Sequence, residues 1–138
     1  MKYLLDTNVL TEINKTECNQ NVKMYLENID WKYVYLSAIT IGELCFGVEK
    51  LPVSKKKHEL SIWLYQKLPQ QFNKRIIALD NELFYTWGKL LATTKRNLPV
   101  NDSLIAASAI FHNMILITGN VKDFADIEGI NLVNPWDE

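Results

Sequence analysis

The sequence predicts an α/β fold in which a short parallel sheet of about four to five strands is flanked by helices. Short apolar runs of strand length alternate along the chain with amphipathic segments of helix length, which is typical of strand–helix–strand units. One late segment, residues 102–111, is apolar almost all the way round and predicts a helix buried against the sheet. With 138 residues and no internal repeat, low-complexity tract or linker, we expect one domain over residues 1–138.

The strands and helices follow in order from these patterns. Apolar runs predict strands at residues 3–5, 34–36, 75–79 and 114–117, with a short final strand at 131–133. Apolar positions at helical spacing predict helices at residues 22–29, from Ser37 or Thr40 up to Pro52, 54–67 with Pro69 as the boundary, 80–91 and 102–111.

Composition and charge set limits on the class of protein. Hydrophobic residues make up 48% and charged residues 22% of the chain, as in soluble globular proteins. The net charge of −1 does not indicate a nucleic-acid binder, and the basic bunches at residues 55–57 and at 89, 95 and 96 are interpreted as solvated helix faces. Two distant cysteines, no signal peptide and no apolar run of membrane-spanning length predict a cytoplasmic protein with no membrane contact.

Polar residues follow three of the predicted strands. Asp6 comes directly after the first strand, Glu43 lies about one turn into the helix after the second, and Thr118 follows the fourth. Asp102 opens the buried helix that precedes the fourth strand. Because ligands bind at the carboxyl ends of parallel strands, we expect the three acids to converge at one edge of the sheet.

A cluster of carboxylates indicates a divalent cation. Like charges this close cannot all stay ionised unless a positive charge neutralises them, and Mg²⁺ or Mn²⁺ suits a site of carboxylates and water. Such ions activate water for attack on a phosphodiester. Neither histidine stands in a zinc motif, and the chain contains no glycine-rich phosphate loop and no nucleophile elbow.

Each acid also has a structural interpretation, which the sequence leaves open. Asp6 and Asp102 are at positions where they could cap helices, and Thr40 with Glu43 fits the capping-box pattern. Asp80 fits the role of a helix cap so well that it is left out of the site.

Four segments of the chain resemble a known family. They are residues 4–10 (LLDTNVL), 36–44 (LSAITIGEL) with Gly47, 98–107 (LPVNDSLIAA), and 118–124 (TGNVKDF) followed by 134–136 (NPW). In order and approximate spacing they are similar to the PIN-domain ribonuclease toxins of the VapC-like, or FitB-like, kind. The resemblance runs from the first residues to the last and implies a PIN-like three-layer sandwich.

The resemblance implies a function and a set of site residues. It implies a toxin endoribonuclease that cleaves RNA with Mg²⁺ or Mn²⁺, usually as a homodimer, and is silenced by an antitoxin peptide. The implied catalytic and metal-binding carboxylates are Asp6, Glu43, Asp102 and Asp123. The implied groups that orient them are Thr7, Asn8, Thr118 and Asn120. Gly119 is a departure, because family members commonly carry Arg there.

Three other functions are weighed against the ribonuclease. A Mg²⁺-binding phosphoacceptor module would need a lysine after a late strand, where this chain has Thr118, Gly119 and Asn120. A haloacid-dehalogenase-type phosphatase would need a second Asp at the position of Asn8. A catalytically inactive PIN domain that acts only by binding partners would use its acids to bind metal and not to cleave RNA. A cleavage assay distinguishes it from the ribonuclease.

Overall fold

The computed structural model describes residues 1–137 and contains a five-stranded sheet at its centre. The strands lie in the order β3-β2-β1-β4-β5, and every adjacent pair is parallel. Their bounds are β1 Tyr3–Leu5, β2 Val34–Ser37, β3 Ile76–Ile77, β4 Ile115–Ile117 and β5 Asn131–Val133. The predicted α/β class and parallel sheet are confirmed, with β1 in the central position.

Seven α-helices connect and cover the strands within residues 1–137. Their bounds are α1 Thr7–Ile13, α2 Gln20–Glu27, α3 Ala38–Glu49, α4 Lys55–Ile62, α5 Leu68–Gln71, α6 Asn81–Thr93 and α7 Val100–Phe111. Short 3-10 turns lie at Trp31–Tyr33 and Val121–Asp123. Helices α1 and α3 begin immediately after β1 and β2, so each places its first turn at the carboxyl edge of the sheet.

Two apolar clusters cover the two faces of the sheet. Successive side chains of a strand point to opposite faces, and Leu4 and Leu5 accordingly belong to different clusters. The first cluster packs α1 to α5 on one face, and the second packs α6 and α7 on the other. Helix α7 contributes Ile105, Ala106 and Ala107, each at most 1% exposed, which confirms the prediction of a buried helix. The three-layer sandwich is therefore confirmed.

One helix boundary was predicted wrongly, at Pro69. The sequence predicts that proline ends the helix after Lys67, whereas the helical path continues through a π-helical turn at Trp63–Lys67 into α5 Leu68–Gln71. Pro69 lies in the first turn of α5, directly after the π-helical turn. The helical path therefore continues across Pro69 instead of ending before it.

Strand β3 is shorter than the predicted strand at residues 75–79. It pairs only with β2, through Leu36 with Ile76 and Ser37 with Ile77. Because β2 ends at Ser37, where α3 begins, residues 78 and 79 have no strand beside them to continue the ladder. The other predicted bounds agree with the structure to within about two residues.

No helix within residues 1–137 is both long and apolar enough to cross a membrane.

The N-cap of α6 gives a first testable prediction. Asp80 has extended backbone and its carboxylate accepts a hydrogen bond from the Leu83 amide at 3.1 Å. We expect Asp80→Ala to lower the free energy of unfolding by about 1 kcal/mol, because one amide of the first turn loses its partner. Urea unfolding measures this change. Asp80→Asn keeps an N-capping oxygen and should retain most of the stability, so equal losses in the two variants would contradict the capping role.

Candidate active site

Four acids lie at the carboxyl edge of the sheet or in turns next to it. Asp6 follows β1, and Glu43 lies in α3, the helix that follows β2. Asp102 lies in the first turn of α7, and Asp123 ends the 3-10 turn that follows β4. The structure brings Asp6, Glu43 and Asp102 together through contacts of their sequence neighbours, Thr7 and Asn101, as described next.

Asp6 is a buried carboxylate held by donors from two strand ends. Its side chain is 5% exposed. Oδ1 accepts a hydrogen bond of 2.7 Å from the Thr7 amide, and Oδ2 accepts one of 2.8 Å from Thr118 Oγ1. Asn8 Nδ2 lies 3.5 Å from Oδ2 and also donates to Thr118 Oγ1 at 3.3 Å. Asp6 is therefore fixed in orientation before any ligand binds.

The pKa of Asp6 shows that this fixed carboxylate is hard to ionise. Burial raises the pKa of Asp6 to about 6, although the hydrogen bonds from Thr118 and the Thr7 amide act to lower it. The negative charges of Asp102 and Glu43 add to the increase, which places both acids within electrostatic range of Asp6. Near neutral pH the site is an anionic cluster that a cation stabilises.

Glu43 is held on both of its oxygen atoms. Thr7 Oγ1 donates to Oε1 at 2.7 Å, and Asn101 Nδ2 donates to Oε2 at 3.2 Å. Thr7 Oγ1 also lies 3.1 Å from Oγ1 of Thr40, which is 1% exposed and one turn earlier in α3. These contacts link the residue after Asp6 and the residue before Asp102 to one carboxylate.

Asp102 is more accessible than Asp6 and interacts with several charges. Partial burial raises the pKa of its carboxyl group, and the negative charges of Asp123 and Glu43 raise it further, while Arg96 acts to lower it. Asp123 is thus electrostatically coupled to Asp102. The four acids form one connected anionic region, in which Asp6 is the most buried member and Asp102 a more open one.

The structure decides between the capping and clustering interpretations of these acids. Asp6 does both, because it caps α1 through the Thr7 amide and also belongs to the cluster. The capping box at Thr40 and Glu43 is wrong, since α3 begins at Ala38 with Ser37 as its cap. Asp102 does not cap α7 either, since that helix begins two residues earlier at Val100, although its charge still lies in the favourable first turn.

The predicted orienting groups contribute unequally. Thr7, Asn8 and Thr118 contact the carboxylates with their side chains. Asn120 contributes through its backbone amide, which donates to Thr118 Oγ1 at 3.0 Å, while its side chain is exposed.

Sequence reasoning missed three residues that lie beside the acids. Thr40 was considered only as a cap, Asn101 was not given a role, and Arg96 was placed on a solvated helix face. Arg96 in fact lies in the loop between α6 and α7, paired with Asp126. Its pairing with Asp126 has no signal in the sequence, because it joins segments that only the fold brings together.

Gly119 is explained by its close approach to Trp136. A Cβ atom at position 119 would lie 2.6 Å from Cζ3 and 2.8 Å from Cε3 of the indole ring. Real Cβ atoms do not approach so closely, so any side chain at this position, including arginine, requires Trp136 to move. The indole packs against the first apolar cluster, and its backbone carbonyl accepts a hydrogen bond from Asn21.

Comparison with known proteins identifies the family of this chain. A family model described as PIN domain matches residues 3–130. The chain belongs to the PIN-domain family.

Relatives of this PIN domain include named nucleases and toxins. It is 29% identical to "VapC ribonuclease Y4jK" of Sinorhizobium fredii, over 97% of each chain. It resembles the crystal structure of FitAcB from Neisseria gonorrhoeae, with a TM-score of 0.91 and 32% identity over 99% of each chain. It also resembles a toxin–antitoxin complex from Klebsiella pneumoniae, with a TM-score of 0.71 and 28% identity over 97% of this chain and 98% of that one.

The donor set of this PIN domain fits the divalent metal ion that PIN-domain ribonucleases generally use. Its carboxylate oxygens are ligands that hard divalent cations prefer. Among residues 1–137, no group of three His, Cys, Asp or Glu side chains is arranged to hold a metal ion alone.

The pKa of Asp6 predicts how stability depends on pH. Because its pKa is about 6 in the fold against 3.8 in the unfolded chain, the folded state keeps a proton between these values that the unfolded chain has lost. Stability therefore falls as pH rises from about 4 through 6 and then stays low. In EDTA, we expect the free energy of unfolding of the wild type, minus that of Asp6→Asn, to fall by up to about 3 kcal/mol over this range.

The comparison with Asp6→Asn isolates this group from other titrating residues. Asp102 also has a raised pKa and acts in the same direction, whereas the lowered pKa of His112 opposes it, and both are present in each protein. Asparagine retains an oxygen for the Thr7 amide. Urea unfolding at pH 4, 5, 6 and 7.5 gives the measurement, and identical pH profiles for the two proteins would show that Asp6 is not a buried acid of raised pKa.

Proposed function

We propose that this PIN domain is the ribonuclease toxin of a toxin–antitoxin pair, and that it hydrolyses RNA phosphodiester bonds with Mg²⁺ or Mn²⁺. Asp6, Glu43, Asp102 and Asp123 are the proposed metal-binding and catalytic carboxylates. The observation that carries the proposal is the buried, hydrogen-bonded Asp6 carboxylate beside Glu43 and Asp102 in a chain related to a named ribonuclease. Like charges in this arrangement require a cation at neutral pH.

The side chains of the site have two kinds of role: some hold the metal ion or orient its ligands, and one accepts a proton. When bound, a divalent ion polarises the phosphodiester and lowers the pKa of an attacking water. Asp6 and Glu43 each have a protein donor on both oxygens, so their orientation is fixed before a ligand binds. Preformed orientation of this kind avoids reorganisation during the reaction.

Asp102 is the best candidate to accept the proton of the attacking water. It is less buried than Asp6, and its raised pKa moves it closer to the range in which a carboxylate serves as a general base. Thr7 and Thr118 act differently, because each donates its hydroxyl proton to a carboxylate and keeps that carboxylate in place.

A groove beside the acids supports an antitoxin partner. It has a volume of about 490 Å³, and its apolar wall is formed by Leu44, Val48, Leu60 and Trp63. Thr7 and Glu43 line the same groove, so a peptide bound there covers the Glu43 carboxylate. By likeness to the Klebsiella toxin–antitoxin complex, we propose that a separate antitoxin chain occupies it.

Free Cys18 and Cys45 fit the reducing cytoplasm, where such a toxin meets RNA.

Cleavage of a mixed pool of structured RNAs tests the enzymatic proposal. We expect cutting with Mg²⁺ or Mn²⁺ and none in EDTA, and we expect Asp102→Asn to slow cleavage at least about 100-fold through loss of the base and of a ligand charge. Circular dichroism checks that the variant folds. Asp80→Asn, an equivalent change at a helix cap outside the site, should cut like the wild type.

The results separate this proposal from an inactive PIN domain. Metal-dependent cutting that Asp102→Asn removes supports a carboxylate nuclease. A wild-type protein that binds Mn²⁺ but cuts none of the RNAs, even at enzyme concentrations equal to substrate, contradicts the ribonuclease proposal and favours a binding module.

A further inference from the structure

Arg96 makes three hydrogen bonds beside the acidic site. Nε donates to Asp126 Oδ2 at 2.8 Å and Nη2 donates to Asp126 Oδ1 at 2.9 Å, which forms a bidentate pair. Nη2 also donates to the backbone carbonyl of Asp123 at 2.6 Å. Bidentate pairing fixes the plane of a guanidinium group, so the contact with the Asp123 carbonyl is directional as well as close.

These contacts join two segments that each carry a proposed site carboxylate. Arg96 lies in the loop that leads into α7 and Asp102. Asp123 ends the 3-10 turn after β4, where it is fixed by a hydrogen bond of 2.9 Å from its own amide to the carbonyl of Asn120. The next residue, Phe124, is fully buried. The turn is thus closed by its own hydrogen bond and packed into the second apolar cluster through Phe124, and Arg96 adds the contact that ties it to the α7 side of the site.

The charge of Arg96 acts on the same two acids. Its electrostatic interactions include Asp126, Asp123 and Asp102, in decreasing order of strength. A positive charge at this place reduces the repulsion between Asp102 and Asp123, which would otherwise push their segments apart. The guanidinium therefore offsets the charge of the site and also limits its geometry.

Binding of RNA phosphate is the competing role for this arginine. Two of its nitrogen atoms are already engaged by the Asp126 carboxylate, so a phosphate would have to displace that carboxylate or share the fork with it. The side chains of Arg96 and Asp126 are 39% and 52% exposed, which leaves them open to solvent on one side. The pairing as it stands favours a role within the protein.

We propose that Arg96, paired with Asp126, is a positioning residue that holds the Asp123 turn against the α7 side of the site and thereby strengthens metal binding by the site carboxylates. The inference rests on the proposed function, since it concerns the same carboxylates. It gives Arg96 and Asp126 a role in the affinity for the metal ion, although neither residue is a proposed metal ligand.

Titration with Mn²⁺ alone tests this positioning role without any RNA. Changes to groups that orient metal ligands commonly cost 10- to 100-fold in affinity. We expect Arg96→Met and Asp126→Asn each to raise the Kd for Mn²⁺ about 10-fold, measured by electron paramagnetic resonance. Arg96→Lys keeps the charge without the bidentate geometry and should fall between them and the wild type. The double variant should bind no more weakly than the worse single variant, because both changes break one pair.

A second exposed ion pair provides the matched control. Lys23 and Glu27 lie on α2 with their charged atoms 4.0 Å apart and side chains 59% and 61% exposed. Lys23→Met and Glu27→Gln change the net charge in the same way and should leave the Kd for Mn²⁺ unchanged. Because exposed pairs contribute little to stability, all five single variants should fold, which circular dichroism checks.

Asp126→Asn separates positioning from phosphate binding. If Arg96 binds RNA phosphate, removing the Asp126 charge frees the guanidinium group for RNA. RNA binding in EDTA is then stronger in Asp126→Asn and weaker in Arg96→Met than in the wild type. The Kd for Mn²⁺ stays at the wild-type value in both variants. That pattern would overturn the proposal. If Arg96 has the positioning role, both variants bind Mn²⁺ more weakly than the wild type. Their kcat at subsaturating metal is then reduced, and their KM for RNA is nearly unchanged.

The failures of the two proposals are distinguishable. Wild-type protein that binds Mn²⁺ without cutting RNA contradicts the ribonuclease proposal but leaves the titration of the variants as a test of Arg96. Variants that bind Mn²⁺ as tightly as the wild type overturn the positioning role while RNA cleavage stands. Wild-type protein that does not bind Mn²⁺ overturns both.

Discussion

Thr118 Oγ1 donates a hydrogen bond of 2.8 Å to the buried carboxylate of Asp6, and this bond joins the ends of the neighbouring strands β1 and β4. A buried carboxylate without such partners would lower the stability of the fold or take up a proton instead of staying ionised. The Thr7 amide provides the second donor, because α1 begins directly after β1. The position of one acid at the end of the central strand thus determines which neighbours must be polar donors.

The remaining acids are arranged around this fixed group through their neighbours. Thr7 links Asp6 to Glu43, and Asn101 links Glu43 to the start of α7, where Asp102 lies. Each link passes through a residue adjacent in sequence to an acid, so small rotations of α3 or α7 would change the spacing of the carboxylates. The preformed part of the site is rigid on the β1 side and more open at Asp102, where substrate and water can approach.

Much of the fold was predictable because the spacing of apolar residues along the chain indicates which positions are buried. The strand at Tyr3–Leu5 and the buried helix at Val100–Phe111 follow from apolar runs alone. The helix end predicted at Pro69 was wrong because a π-helical turn is a property of packing and has no residue signature of its own. The strand at residues 75–79 was predicted too long because its length depends on where its neighbour β2 ends.

The sequence by itself determined the alternation of strands and helices, the acids at strand ends and the family resemblance, since these depend on residue type and spacing along the chain. It could not distinguish capping from clustering for Asp6, Glu43 and Asp102, because both uses favour an acid at the same local position. The tertiary structure decided that question, and it alone paired Arg96 with Asp126 and placed Trp136 over Gly119. Those contacts join residues distant in the chain, and only the packed fold brings their atoms within a few ångströms of each other.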